Sequence, residues 1–232
     1  MIGIIGALDV EVANLVSLLE EKEISVISDI KYVSGLLYGK EVVVAKCGVG
    51  KVFAAMCTQT MIIVYKPEII INTGVAGGLS SRLSVYDLVI ADKLVQHDLD
   101  TVAMGDDLGM ISGINIVDIS CARNLADIFV RCSYELGYKY HVGKIATGDQ
   151  FVCSSNKVEE IIDNFDAIAC DMEGGSIAQV CYVNNIDFIV VRCISDKADE
   201  KSHVDFFSFV ERAAERSIKL LEEFIKKYER NN

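Results

Sequence analysis

Proline occurs once in the 232 residues, at Pro67, and no Ser-rich, Gly-rich or repeated stretch interrupts the chain. Nothing reads as a linker, so one domain over 1–232 is expected. Cations are also scarce, with 22 Lys and Arg against 34 Asp and Glu and a net charge of −12. That balance disfavours nucleic acid, whose phosphates are bound by Lys and Arg clusters, and disfavours an anionic membrane surface. The one marked charge run, KLLEEFIKKYER at the C-terminus, reads as the wet face of a last helix. No apolar run approaches the roughly 18 residues a membrane helix needs. The opening MIGIIGALD has no basic n-region or cleavage site, so no signal peptide is expected. None of the eight cysteines forms a CxxC or stands beside a His at zinc-finger spacing. Most lie in apolar runs and read as reduced thiols of a cytoplasmic protein. His97, His141 and His203 are scattered, which argues against a metal site. GVGK at 48–51 falls short of the GxxxxGK[ST] that cradles triphosphates, and no GxGxxG is present. No metal or organic cofactor is therefore implied.

What the chain does contain is apolar content, at 51%, enough for a sizeable core. Its periodicity predicts strands at Met1–Ala7, Lys31–Leu37, Glu41–Cys47, Glu68–Asn72, Tyr86–Ala91, His141–Thr147, Ala167–Cys170 and Phe188–Ile194. Helices are predicted over Val10–Glu21, Val52–Tyr65, Asn124–Leu136, Lys157–Asn164, Gly175–Asn184 and about Val204–Tyr228. Strands alternating with helices imply an α/β fold whose mostly parallel sheet is covered on both sides. An early hairpin-like pair and the extra strands make that sheet mixed and partly closed.

The segment DFIVVRCISD, Asp187 to Asp196, carries the most information. Its front half is the β-branched run of a strand buried on both faces, and its back half ends on a carboxylate. In open α/β sheets, ligands bind just beyond the carboxyl ends of the strands. Five other strand ends share unusual composition: GALDVE (6–11), CGVGK (47–51), NTGVAGG (72–78), TGDQFV (147–152) and CDMEGG (170–175). Glycines there let backbone N–H groups approach a ligand. Three acids stand out, Glu11, Glu173 and Asp196. Carboxylates converging on one pocket suit acid–base chemistry at an anomeric carbon, where an oxocarbenium ion develops. Taken singly, a strand-end acid is more often a helix cap, Glu11 could decorate a helix first turn, and Phe151 could be core. The residues alone define an α/β enzyme with a carboxylate-lined pocket.

Taken together, these segments resemble the 5′-methylthioadenosine/S-adenosylhomocysteine nucleosidases. GIIGALDVEV resembles that family's GIIGAMxxEV, INTGVAGGL its INTGSAGGL, and GDQFV its GDxFI. DMEGGSIAQVC resembles EMExxAIAxVC, VVRCISDKAD resembles VVRxISDxAD, and SHVDFF the SHxxF that follows. The matches run in family order over nearly the whole chain. The resemblance implies a nucleoside phosphorylase-like fold, hydrolysis of the N-glycosidic bond of adenosine thioethers, and a place in methionine and adenine salvage. By the same resemblance Asp196 protonates purine N7, with Ser195 in support, and Glu11 is the base that activates water. Glu173 binds the ribose hydroxyls, Met172 packs under the ribose and Arg192 steadies the carboxylates. Phe151 stacks on adenine and the Val152 backbone bonds its edge. Val49 and Phe206 line the alkylthio pocket, and Val75 and Gly77 belong to the ligand-facing glycine turn.

Val75 departs from the family's Ser, which removes one hydroxyl near the water and sugar, and Gly174–Gly175 stand where a small-residue run is expected. In the family a neighbouring subunit closes the alkylthio pocket. The matching stretch is His97–Gly113, with Thr101 and Met104 as contributors, which implies a homodimer. Three rivals stay open: a purine nucleoside phosphorylase, a hydrolase of another nucleoside such as aminodeoxyfutalosine, and a sensor that binds without turnover. A phosphorylase needs cations around its phosphate, and the strand ends carry few. A sensor needs no acid and base together.

Overall fold

In the computed structural model of the protein, which describes residues 1–229, strand β5 (Ile69–Gly78) is paired on both sides. On one side runs β10 (Asp187–Asp196), parallel from Asp187 opposite Ile69 to Asp196 opposite Gly77. On the other runs β1 (Ile2–Gly6), also parallel. From β10 the ladder continues through β6 (Leu88–Gln96), β8 (Tyr140–Thr147) and β9 (Ala169–Asp171), and β9 returns to β5 at Gly77 and Gly78. These strands close on themselves. From β1 the sheet extends outward through β4 (Lys40–Lys46), β3 (Ile30–Leu37) and β2 (Glu20–Ile27), while the two-residue β7 (Ile119–Ser120) pairs with β6. The ten-stranded sheet is thus mixed and partly closed, as the strand count implied.

Successive side chains of a strand point to opposite faces, and each face has its own helices. Ile69, Ile71, Val42, Val44, Ile189 and Val191 meet α1 (Asp9–Leu18), α3 (Arg123–Glu135) and α6 (Ser202–Lys227), through Leu15, Phe129, Leu221 and Phe224. Ile70, Val43 and Val190 meet α2 (Lys51–Tyr65) and α5 (Gly174–Asn184), through Cys57, Met61, Ile177 and Cys181. The continuous apolar runs arise because both faces are covered. Each fully buried Ile or Leu contributes on the order of 1.5–3 kcal/mol. A third, smaller cluster gathers Ile161 and Phe165 of α4 (Ser155–Phe165) against Val152 and Ala146.

The sequence reading errs chiefly at the N-terminal side. The helix expected over Val10–Glu21 stops at Leu18, and Glu20–Ile27 is an edge strand. EEKEISVI is almost wholly exposed, and its charged first half leaves only the short Ile24–Val26 alternation to mark a strand, while blunting edge-to-edge association. β5, β6 and β10 run further than their apolar segments suggest, because glycines and polar residues continue the ladder toward the ligand end. Arg230, which ends the charged run, and Asn231–Asn232 of the expected domain lie outside the described residues.

Candidate active site

The parallel strands β1, β5 and β10, and β8, which runs antiparallel to them, bring their last residues or the loops beyond them to one cleft of about 380 Å³. Its walls contain Glu11, Val49, Val75, Gly77, Phe151, Val152, Met172, Glu173, Ser195, Asp196 and Phe206. All were named from sequence. Ala7, Leu8, Ala76, Gln150, Cys170 and Asp171 complete the lining.

Glu11 sits in the first turn of α1, where the chain leaves β1, and is only 4% exposed. Its Oε2 accepts from the Ala7 and Leu8 amides at 2.7 and 2.9 Å, and its Oε1 from the Val75 amide at 3.0 Å. Three backbone donors thus fix the carboxylate across two strands. Burial nonetheless raises its pKa, opposed by the Arg192 charge and those amides. The Gly74 turn is built around it, since a Cβ at 74 would stand 2.4 Å from Glu11 Oε1. Val75 offers an amide to this carboxylate, so the Ser-to-Val departure leaves that hydrogen bond in place.

Asp196 ends β10. The β10–β5 ladder is irregular between Ile194 and Asp196, with Ile194 opposite Ala76 and Asp196 opposite the next residue, Gly77. A bulge of this kind inserts an extra residue and re-aims side chains. It explains why consecutive residues Ser195 and Asp196 both line the cleft, although neighbours in a regular strand face opposite ways. The Ser195 hydroxyl donates to Asp196 Oδ2 at 2.9 Å, and the Ala198 amide to Oδ1 at 2.9 Å.

Glu173 precedes α5, and its Oε1 accepts from the Gly50 amide at 2.9 Å. Burial, then the neighbouring Asp171 charge, push its pKa up to about 7, against the pull of Arg192. Arg192 does not line the cleft. It lies beneath, 1% exposed, with Nε and Nη2 donating to Asp171 Oδ2 at 3.1 and 2.6 Å and Nη2 also to Asn72 Oδ1. Asp171 is further held by the Thr147 hydroxyl at 2.5 Å and the Gly174 amide at 3.1 Å. Asp171 was missed as a site residue. A buried arginine needs a carboxylate partner, and the unassigned acid of CDMEGG was the signal.

Phe151 is 41% exposed and meets Phe206 edge-to-face, centroids 5.7 Å apart at 82°. Thr101 and Met104 lie away from this cleft, flanking and ending a 3₁₀ turn over Val102–Met104. Met104 is 82% exposed, and the Thr101 hydroxyl is turned to Asp106 at 2.8 Å. Among the described residues no group of three or more His, Cys, Asp or Glu could hold a metal ion, and no helix is long and apolar enough to cross a membrane.

This ring-closed mixed sheet with its acid-lined cleft belongs to the phosphorylase superfamily, whose model matches residues 1–226. The 5′-methylthioadenosine/S-adenosylhomocysteine nucleosidase of Shewanella pealeana is 39% identical over 217 residues, covering 93% of this chain and 94% of that protein. An S-adenosylhomocysteine nucleosidase from Streptococcus pyogenes, solved in complex with a methylthiotubercidin, superposes with a TM-score of 0.95 at 34% identity, covering 98% of this chain and 97% of that one. A futalosine hydrolase of Helicobacter pylori superposes at 0.94 with 33% identity, covering 98% and 97%. The chain belongs to the 5′-methylthioadenosine/S-adenosylhomocysteine nucleosidase family of that superfamily.

Proposed function

We propose that this protein hydrolyses the N-glycosidic bond of 5′-methylthioadenosine and S-adenosylhomocysteine, releasing adenine and the corresponding thioribose. The observation that carries the reading is the presence in one cleft of Glu11 and Asp196, delivered by separate strands, with Phe151 beside them. Adenine stacks on Phe151 and is held at its edge by the Val152 backbone. Asp196, steadied by Ser195, gives a proton to N7, so the C1′–N9 electron pair leaves with a neutral base. Positive charge then develops on the ribose, beside Glu173, which holds its hydroxyls above Met172. Glu11 takes a proton from water as the water oxygen bonds to C1′. Burial makes Glu11 a stronger base, while its three backbone bonds hold it in place. Arg192, through Asp171, limits repulsion among these carboxylates. The charged residues lining the cleft are Glu11, Asp171, Glu173 and Asp196, with no Lys or Arg among them. An anionic phosphate finds no cationic partner there, which favours water over phosphate as nucleophile.

Two finer features belong to the same reading. The protein is a homodimer, in which Thr101 and Met104 of a second copy close the alkylthio end near Val49 and Phe206. Exposed Val52, Phe53, Met56 and Ile63 on α2, together with Met104, supply the apolar surface such an interface requires. It works in the cytoplasm, in keeping with eight free cysteines. The futalosine hydrolase neighbour favours one second reading, action on an adenine nucleoside with a different 5′ group. Release of free adenine from methylthioadenosine in phosphate-free buffer is the expected result. Strict dependence on phosphate would overturn hydrolysis, and a larger kcat/KM for aminodeoxyfutalosine would reassign the substrate.

A further inference from the structure

Three polar residues form a closed ring just outside the cleft, and none of them lines it. The Lys51 ammonium donates to Asp98 Oδ1 at 2.7 Å. The other oxygen of the same carboxylate, Asp98 Oδ2, accepts from the Asp149 amide at 2.9 Å. The Asp149 carboxylate in turn accepts from the Lys51 amide at 2.7 Å. Lys51 opens α2, Asp98 follows β6, and Asp149 lies in the loop after β8, so the ring ties together three segments distant in sequence. Two of the three segments lead on to the cleft. Gln150, Phe151 and Val152 follow Asp149, and Gly50, whose amide holds Glu173, precedes Lys51. The Ser176 hydroxyl donates to the Lys51 carbonyl at 2.7 Å and secures the ring to α5. The fit is close, since a Cβ at Gly50 would stand 2.9 Å from Asp149 Oδ1.

We propose that Lys51, Asp98 and Asp149 are positioning residues, a polar clamp that sets the adenine-stacking loop 150–152 against the Glu173 end of the cleft. The inference rests on the adenosine-thioether reading above. Acting through residues that grip the base in ground state and transition state alike, the clamp contributes mainly to binding. Asp98 needs both carboxylate oxygens, because each accepts from a different donor. Asn offers one acceptor oxygen and one donor nitrogen, so Asp98→Asn leaves either the Lys51 ammonium or the Asp149 amide facing a donor.

The test uses the purified full chain, with free adenine binding measured by calorimetry and kcat and KM for methylthioadenosine measured separately. Loss of a charge-assisted bond predicts about tenfold weaker adenine binding and about tenfold higher KM in Asp98→Asn. The kcat stays within about threefold, the pattern of lost uniform binding. Lys51→Met behaves likewise, Lys51→Arg restores affinity to within about twofold, and the Asp98→Asn/Lys51→Met double variant loses no more than either single one. Wild-type adenine affinity in both Asp98→Asn and Lys51→Met overturns the clamp, as does a fall in kcat alone, which is what partial unfolding gives. Should Asp98→Asn fail to fold, the Lys51→Met and Lys51→Arg pair decides by the same affinities. Adenine binding needs no turnover. A wild type that binds adenine yet releases none from thioethers overturns the hydrolase reading while the affinity ratios still judge the clamp. A wild type that does not bind adenine overturns both.

Discussion

The two walls of the cleft are built differently. The wall proposed to face the sugar, with Glu11 and Glu173 over Arg192 and Asp171, is buried and held by backbone amides and a buried ion pair. The wall proposed to face the base joins loop residues Phe151 and Val152 to Phe206 of α6 and Asp196 at the end of β10, and the Phe151 ring stands 41% exposed. In the proposed reaction, fixed charge is concentrated where charge develops, and apolar surface where a flat base enters and leaves. Preorganised dipoles belong on the first wall, because reorganising them during reaction would cost rate.

The largest break in that contrast is expected from Asp196→Asn, which leaves base binding intact but removes the proton for N7. Its kcat should fall by about 10²–10⁴-fold with KM little changed. Steady-state kinetics and an unaltered circular dichroism spectrum would check this, and near-normal turnover would show the leaving-group role to be misassigned. Glu11→Gln should lose about as much kcat, on the order of 10²–10⁴-fold, while a non-hydrolysable thioether analogue still binds. Loss of analogue binding would make Glu11 a structural residue.

Glu173 sharpens the contrast through pH. Its pKa in the fold, about 7, stands above the ordinary value of 4.5. As pH falls through about 7 it takes up a proton and loses the charge proposed to face the ribose, so wild-type kcat/KM should fall on that limb. For stability the sign is opposite. Between 4.5 and about 7 the folded state holds a proton that the unfolded state has released, so folding weakens as pH rises through this window. Glu173→Gln keeps an acceptor for Gly50 and avoids the buried charge. It should therefore unfold later than wild type at pH 8, by on the order of 1–3 kcal/mol, while losing activity. Denaturant unfolding at pH 5 and pH 8 would measure it, and a variant less stable than wild type at pH 8 would refute it.

On the base wall, Phe151→Ala should raise KM by about tenfold with a smaller change in kcat, since stacking on an aromatic ring is worth about 1–3 kcal/mol per base. The smallest effect should come from Val75→Ser, within about threefold in kcat/KM, because position 75 reaches Glu11 through its backbone amide and not its side chain.

The same contrast governs what could be read from the chain. Strand-end motifs stood out because apolar runs ending in glycine or acid are rare patterns with a physical cause. Glu11, Glu173 and Asp196 were therefore visible in the sequence, as was the covered sheet. Asp171 was not, since its significance depends on Arg192 coming to rest beside it, and Asp98 acquires meaning only from two segments that meet it in space. β2 escaped notice because its first half is charged and its alternation, Ile24 and Val26, is short, and because it follows a helix without a proline or glycine to mark the change. The role proposed for Thr101 and Met104 rests on a second copy, and one chain's geometry gives them only a 3₁₀ turn with Met104 exposed.

The bulge at Ser195 turns a question of residue identity into one of spacing. Conservative swaps among the apolar residues of β10 should leave the Asp196 carboxylate aimed as it is. Removing a single position between Ile194 and Lys197 would mend the ladder and take one of the two cleft side chains away. A chain tidied in this manner should fold at least as firmly and cleave poorly, so for this stretch an alignment's gaps would be more telling than its mismatches.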